Sequence, residues 1–189
     1  MPYRVTIPEG QEALEVILNH LGTPMLVDAR KRIFRTMYDA PETALSPRER
    51  EVMRYPMTAM MGCPICNSLR MWRDWPNFSA EPIEEELYTN AAAFNYAWPG
   101  FSARESILLE FINRFANDVE GINGDDAFWD KIRTNFTDTE IGDIIVMAGT
   151  WLGVGHGLKA LGIGSVCPVP VTEEFLNRLR NDERGGTGE

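Results

Sequence analysis

The chain reads as all-α, and three observations predict this. Apolar residues recur at helical spacing through most of its length. Helix-start signals stand at Ser46, Ser102 and Thr137, each followed three residues later by a glutamate. Nowhere does a short strand-like run alternate with a helical one, so a C-x-x-C pair in the sequence lacks the setting of a thioredoxin-type motif. At 189 residues and 44% apolar composition the chain can build one domain with a real core. We expect a single helical domain over 1–180 and a frayed tail over 181–189, NDERGGTGE.

Residues 3–7 read as a short extended arm. From Glu9 to Leu21 the residues Ala13, Leu14, Ile17, Leu18 and Leu21 share a helical face, and Gly22 ends the run. A second helix covers about 25–38, with Ile33, Phe34 and Met37 on one side and four basic residues nearby. Ser46, Pro47 and Glu49 open a third helix to Met61, in which Pro56 should cause a kink or a break. Gly62 then fits just past a helix end and Pro64 fits the first position of the next helix, which runs to about Trp72. Residues 81–98 look helical. Ser102 and Glu105 open an amphipathic helix through Phe115, and 125–135 form a shorter one. Thr137 and Glu140 open a long helix to Leu161, stopped by Gly162. On it Gly149, Gly153 and Gly157 recur every four residues. Glycine costs about 1 kcal/mol against alanine inside a helix, so three in register predict a second helix packed very close. A proline-punctuated link at 166–171 leads to a last helix over 172–180.

The chemistry concentrates between Ser46 and Asp74. Cys63 and Cys66 form the C-x-x-C, with Cys63 at the N-cap and Cys66 in the first turn of the helix after Gly62. A helix N-terminus carries partial positive charge and favours a thiolate over a thiol. Glu51 stands twelve positions before Cys63, roughly 18 Å along a straight helix, so the chain must turn at Gly62 and run back for the two to meet. On the returning helix Cys63, Cys66 and Arg70 fall on one face. Arg70 is thereby placed between Glu51 and the thiols, and an ion pair between Glu51 and Arg70 is expected.

This stretch resembles the AhpD-like alkylhydroperoxidase and carboxymuconolactone decarboxylase superfamily. The family pattern is Glu, eleven residues, Cys, two residues, Cys, three residues, His. Glu51, Cys63 and Cys66 match it, while Arg70 stands where the family has histidine. The preceding run LSPRERE and the C-terminal run FTDTEIGDIIVMAGTWLGVGHGLKALGI are also similar to the family, and the resemblance covers about two-thirds of the chain. It implies an AhpD-like helical domain, reduction of hydroperoxides through a Cys63–Cys66 disulfide, and a thiol reductant that recycles it. It also implies Cys66 as the attacking and Cys63 as the resolving residue, no cofactor and no metal, and a homo-oligomer, trimer or hexamer. Arg70 departs from the pattern in a chemically specific way. Arginine has five donors and no acceptor and stays protonated, so it can favour a thiolate but cannot relay its proton.

Alternative readings stay open. The family's other name suggests a lyase on a small lactone acid, though that reaction needs no dithiol. A helical oligomer that keeps the scaffold without the activity fits Arg70. A C-x-x-C also fits two buried core cysteines. Two cysteines without a second pair or paired histidines make a poor zinc site. His156 reads as a core histidine, His20 as a helix-end residue, Cys167 as a structural or surface thiol. Trp72, Trp75, Phe78 and Trp98 read as core or subunit interface, with the lining of a pocket as the alternative. The net charge of −10 argues against nucleic acid and anionic membranes as partners. Three cysteines, no basic-then-apolar leader and charged residues within the longest apolar run point to a cytoplasmic protein.

Overall fold

The computed structural model describes residues 3–39, 44–62, 67, 69–70 and 83–163. Among these residues there are eight helices and no strand. They are α1 (Ala13–Asn19), α2 (Pro24–Asp39), α3 (Pro47–Met61), α4 (Glu85–Ala92), α5 (Ala103–Asn117), α6 (Val119–Asn123), α7 (Asp126–Asn135) and α8 (Asp138–Ala160). The all-α architecture follows the helical periodicity. Of the helix expected over 64–72 only Asn67, Leu69 and Arg70 are described; Asn67 is helical but Leu69 and Arg70 are not, so that helix does not reach Trp72 as expected. The C-x-x-C, Trp72, Trp75, Phe78, Cys167, the last helix and the tail lie outside the described residues.

Helix α3 is the axis of the fold. It packs against α4, α5 and α8, and Val52, Met53 and Met57 are fully buried. The largest apolar cluster forms around it from Leu87, Leu108, Leu109, Ile112 and Trp151 among others. Pro56 does not break α3, which runs unbroken through it. The missing N–H removes one rung of the hydrogen-bond ladder, but burial on several sides holds the helix together where local propensity alone would end it. A second, smaller cluster joins α1 to the C-terminal end of α8 through Ala13, Leu14, Ile17, Leu158 and Ile163. The arm at 3–7 is tied there by the Arg4 N–H to the Leu161 carbonyl, and Tyr3, Val5 and Ile7 pack on that cluster.

Two other boundaries differ from expectation. The helix expected over 81–98 stops at Ala92, because Phe94 turns into the left-handed region at φ 50° and a run of turns carries the chain to Pro99. The helix expected from Glu9 begins only at Ala13. Helix α6 is short, capped by the Asp118 carboxylate on the Gly121 N–H, and no sequence expectation covered it.

The three capping boxes form as expected, at Ser46–Glu49, Ser102–Glu105 and Thr137–Glu140. Their glutamates are then used a second time. Arg48 Nε donates to Glu105 at 2.7 Å, and Arg104 Nε donates to Glu49 at 2.6 Å, so α3 and α5 exchange arginines across their N-termini. Arg104 also reaches Glu140 at 2.7 Å and lies over the Phe136 ring, and Arg48 reaches Glu84 at 2.7 Å. Four helix N-termini, those of α3, α4, α5 and α8, are clamped at one end of the bundle. The signal was legible as a repeated tetrapeptide, SPRE at 46–49 and SARE at 102–105.

This clamp sets a pH dependence. The Arg48 hydrogen bond holds Glu84 below its ordinary value of 4.5, and the Thr137 backbone N–H, with Arg104, holds Glu140 below the same value. A depressed carboxylate contributes stability that is fully present above its unfolded pKa and is lost as pH falls through the folded one. Thermal stability should therefore be level above about pH 5 and fall as the solution is acidified below 4.5. Solvent screening keeps each partly exposed contribution small. Glu140→Gln should flatten that acid limb in melting curves taken from pH 6 to about pH 3; an unchanged slope would remove Glu140 from the account.

Candidate functional site

The site is built on the C-terminal half of α3 and the residues that follow it. Glu51 has no exposed surface, and Arg54, one helical turn later, is 2% exposed. Arg54 Nη2 donates to Glu51 Oε2 at 2.6 Å and Arg54 Nε to the same oxygen at 3.0 Å. The same Nη2 donates to the Leu69 carbonyl at 2.7 Å. The buried pair thus tethers α3 to the chain just beyond the C-x-x-C.

At the near end of that segment Gly62 takes the left-handed conformation, φ 65° and ψ 30°, and its N–H returns to the carbonyls of Thr58 and Ala59. Only glycine adopts this geometry without strain. The chain therefore leaves α3 at the expected residue. The placement of Cys63 and Cys66 beyond it lies outside the described residues. Underneath, Gly155 of α8 meets Met61, the last residue of α3: a methyl at 155 would overlap the Met61 thioether. The close helix approach is thus at Gly155. At Gly149, Gly153 and Gly157 nothing among the described residues is found within 4 Å of the space a side chain would occupy, which corrects the expectation of a tightly packed neighbour there.

At the far end, Arg70 does not pair with Glu51. Its Nη2 donates to Glu85 Oε1 at 2.6 Å and to Tyr55 Oη at 3.3 Å, and its Nη1 donates to the Asn67 carbonyl at 2.8 Å. The guanidinium lies 4.6 Å from the Tyr55 ring centroid and 4.3 Å from that of Tyr88. The two rings meet edge to face at 5.0 Å. Burial would lower the Arg70 pKa, but the hydrogen bond and charge of Glu85, with the Tyr55 oxygen as acceptor, carry it above its ordinary value. The expected Glu51–Arg70 ion pair is replaced by two separate pairs for a physical reason. Arg54 shares a face of α3 with Glu51 at i, i+3 and lies in the same dry layer, whereas a pair of tyrosine rings and a surface carboxylate stand ready for Arg70. The signal for Arg54 was present in the run EVMR.

The other candidates separate from this cluster. His156 is exposed on α8 and is not a core residue. His20 caps the end of α1, donating its backbone N–H to Val16. Trp98 is half-buried, with its ring edge-on to Phe101 at 4.8 Å, on the core side as expected. Among the described residues no group of three or more His, Cys, Asp or Glu side chains stands where it could hold a metal ion.

The arrangement has clear chemical capacities. It presents a fixed cation, Arg70, next to the residue that follows Cys66, and a phenol, Tyr55, that accepts from that cation and keeps its own O–H to donate. It keeps a carboxylate, Glu51, and its guanidinium, Arg54, out of water on α3. No protein-family model, no curated protein and no solved structure matches this chain.

Proposed function

We propose that this chain is an AhpD-like dithiol oxidoreductase that reduces hydroperoxides through a Cys63–Cys66 disulfide. The observation that carries the reading is Glu51. A carboxylate with no exposed surface is rare unless it is paired and put to use, and this one lies at the family's spacing from a C-x-x-C. Gly62 at the helix end and Asn67, held through its carbonyl by Arg70, flank the C-x-x-C in the chain. In the proposed step the Cys66 thiolate attacks the outer peroxide oxygen. The O–O bond breaks, the alkoxide takes a proton and leaves as alcohol, and Cys66 becomes a sulfenic acid. Cys63 attacks that sulfur, water leaves, and the disulfide forms. An external dithiol restores both thiols by exchange. A small hydroperoxide as substrate, a thiol reductant as partner and a cytoplasmic setting belong to this proposal.

One observation favours a second reading, the scaffold without the activity. Arg70 is fastened to Glu85 and stacked on two tyrosines, which suits a structural peg as well as a charge near a thiolate. The lactone-acid lyase draws support from the resemblance alone. Titration of accessible thiols before and after one equivalent of cumene hydroperoxide separates these readings. Loss of both thiols, reversed by dithiothreitol and absent in Cys66→Ser, is the expected result. Thiols that never pair would overturn the oxidoreductase. Lactone turnover that survives removal of both cysteines would install the lyase.

A further inference from the structure

We infer that the exposed face of α8 is the docking surface for a second copy of this chain, the two helices crossing antiparallel at Gly149. Helix α8 is apolar on nearly every side, and such a helix is ordinarily buried. Its inner face is covered: Ile144, Met147, Ala148, Trp151, Gly155 and Leu158 are buried. Its outer face is bare. Ile145 and Val146 are 39% and 52% exposed, and Gly142, Gly149, Gly153 and His156 are exposed on the same stripe.

The order of side chains along the stripe selects a second copy in one orientation. The large residues Ile145 and Val146 lie before Gly149, and the bare Gly153 lies after it. A twofold axis through Gly149 places Ile145 of one copy opposite Gly153 of the other and His156 opposite Gly142, while Val146 falls level with Leu152. A parallel pairing would set Ile145 against Ile145 and glycine against glycine. Charge agrees. The exposed Asp138 opens the helix and the exposed Lys159 closes it, so the antiparallel pair brings opposite charges together at both ends. It also sets each helix N-terminus beside the other's C-terminus, where the dipoles attract. The stripe from Gly142 to Ala160 is roughly 27 Å long and about 10 Å wide. That is less than the roughly 800 Å² per partner of a standard interface, so micromolar self-association is expected.

By length and composition α8 also passes as a membrane span, which makes lipid a rival occupant for the test to decide. Light scattering on the full chain from about 1 to 100 µM brackets that micromolar association, and sedimentation with neutral phosphatidylcholine vesicles runs in parallel. The expected result is reversible association whose constant weakens at least tenfold in Gly153→Leu and in Val146→Lys. Gly153→Leu replaces a helix-breaking residue on an exposed face by a good helix former, so its melting temperature should hold or rise even as self-association is lost. Lys159→Glu should weaken association and adding Asp138→Lys to it should restore it, which reports the antiparallel orientation. A monomer throughout, association indifferent to both stripe variants, a charge swap without rescue, or sedimentation with vesicles in place of self-association would each overturn the inference.

Discussion

Arg54→Met should lower the free energy of unfolding by about 3–5 kcal/mol, the usual cost of removing one partner of a buried ion pair. For a chain of this size each kcal/mol is worth about 2–4 °C, so the melting temperature should fall by about 6–20 °C. The argument rests on where the charges are. Glu51 has no exposed surface and Arg54 almost none, so bulk water cannot replace what the substitution takes away. Methionine fills much of the arginine's volume, which keeps the loss electrostatic rather than a cavity effect. The double variant Glu51→Gln, Arg54→Met should recover a large part of the loss, because the carboxylate that lost its guanidinium is then neutral. Urea unfolding of the wild type, both single variants and the double variant closes the cycle. A single-variant loss under about 1 kcal/mol would class the pair with surface salt bridges and remove the dry layer around Glu51 from the account.

How much of this was legible beforehand depends on whether the deciding interaction is local. Ser46, Ser102 and Thr137 were readable because a capping box closes within four residues, and Gly62 and Gly162 because positive φ is a property of one residue. Pro56 was misread as a possible break because the force that keeps α3 whole comes from α4, α5 and α8, far away in the chain. The glycines of α8 show a subtler failure. Gly149, Gly153 and Gly157 form the conspicuous repeat, yet the close contact is made by Gly155. Only the burial of Trp151 and Leu158, which share its face, tells one glycine in the run GVGHG from its neighbours. In the site, Gly62 stood where expected, whereas Glu51 was assigned the wrong arginine. The family pattern drew attention to position 70, while Arg54 was three residues away in the same helix and needed no turn to reach Glu51.

Arg70→His should raise hydroperoxide turnover at least tenfold over the unaltered chain, within the roughly 10²–10⁴-fold that general acid–base help supplies. The O–O cleavage step requires a proton for the departing alkoxide. Arg70 already sits against Tyr55 and the Asn67 carbonyl, next in the chain to Cys66, but a guanidinium held above its ordinary pKa does not surrender a proton. An imidazole there titrates near neutrality and can accept and return one. Its orienting partners would be Glu85 and Tyr55, which now hold the guanidinium, since Glu51 is engaged by Arg54. Losing the Glu85 pair and the stacking on Tyr55 and Tyr88 should cost on the order of 1–2 kcal/mol in stability, so activity is compared well below the melting transition. Arg70→Lys keeps the positive charge and should show no gain, which separates proton transfer from simple attraction of a thiolate. Cys66→Ser should abolish turnover in both the parent and the histidine variant. The measurement is peroxide consumption with dithiothreitol as reductant for the five proteins side by side. A fast parent with no gain in the histidine variant would mean that the proton comes from elsewhere. Tyr55, with its O–H free to donate after accepting from Arg70, would then be tested by Tyr55→Phe ahead of the exposed His156. A parent and histidine variant both inert, with thiols that never pair, would leave the helical scaffold as the function of the chain.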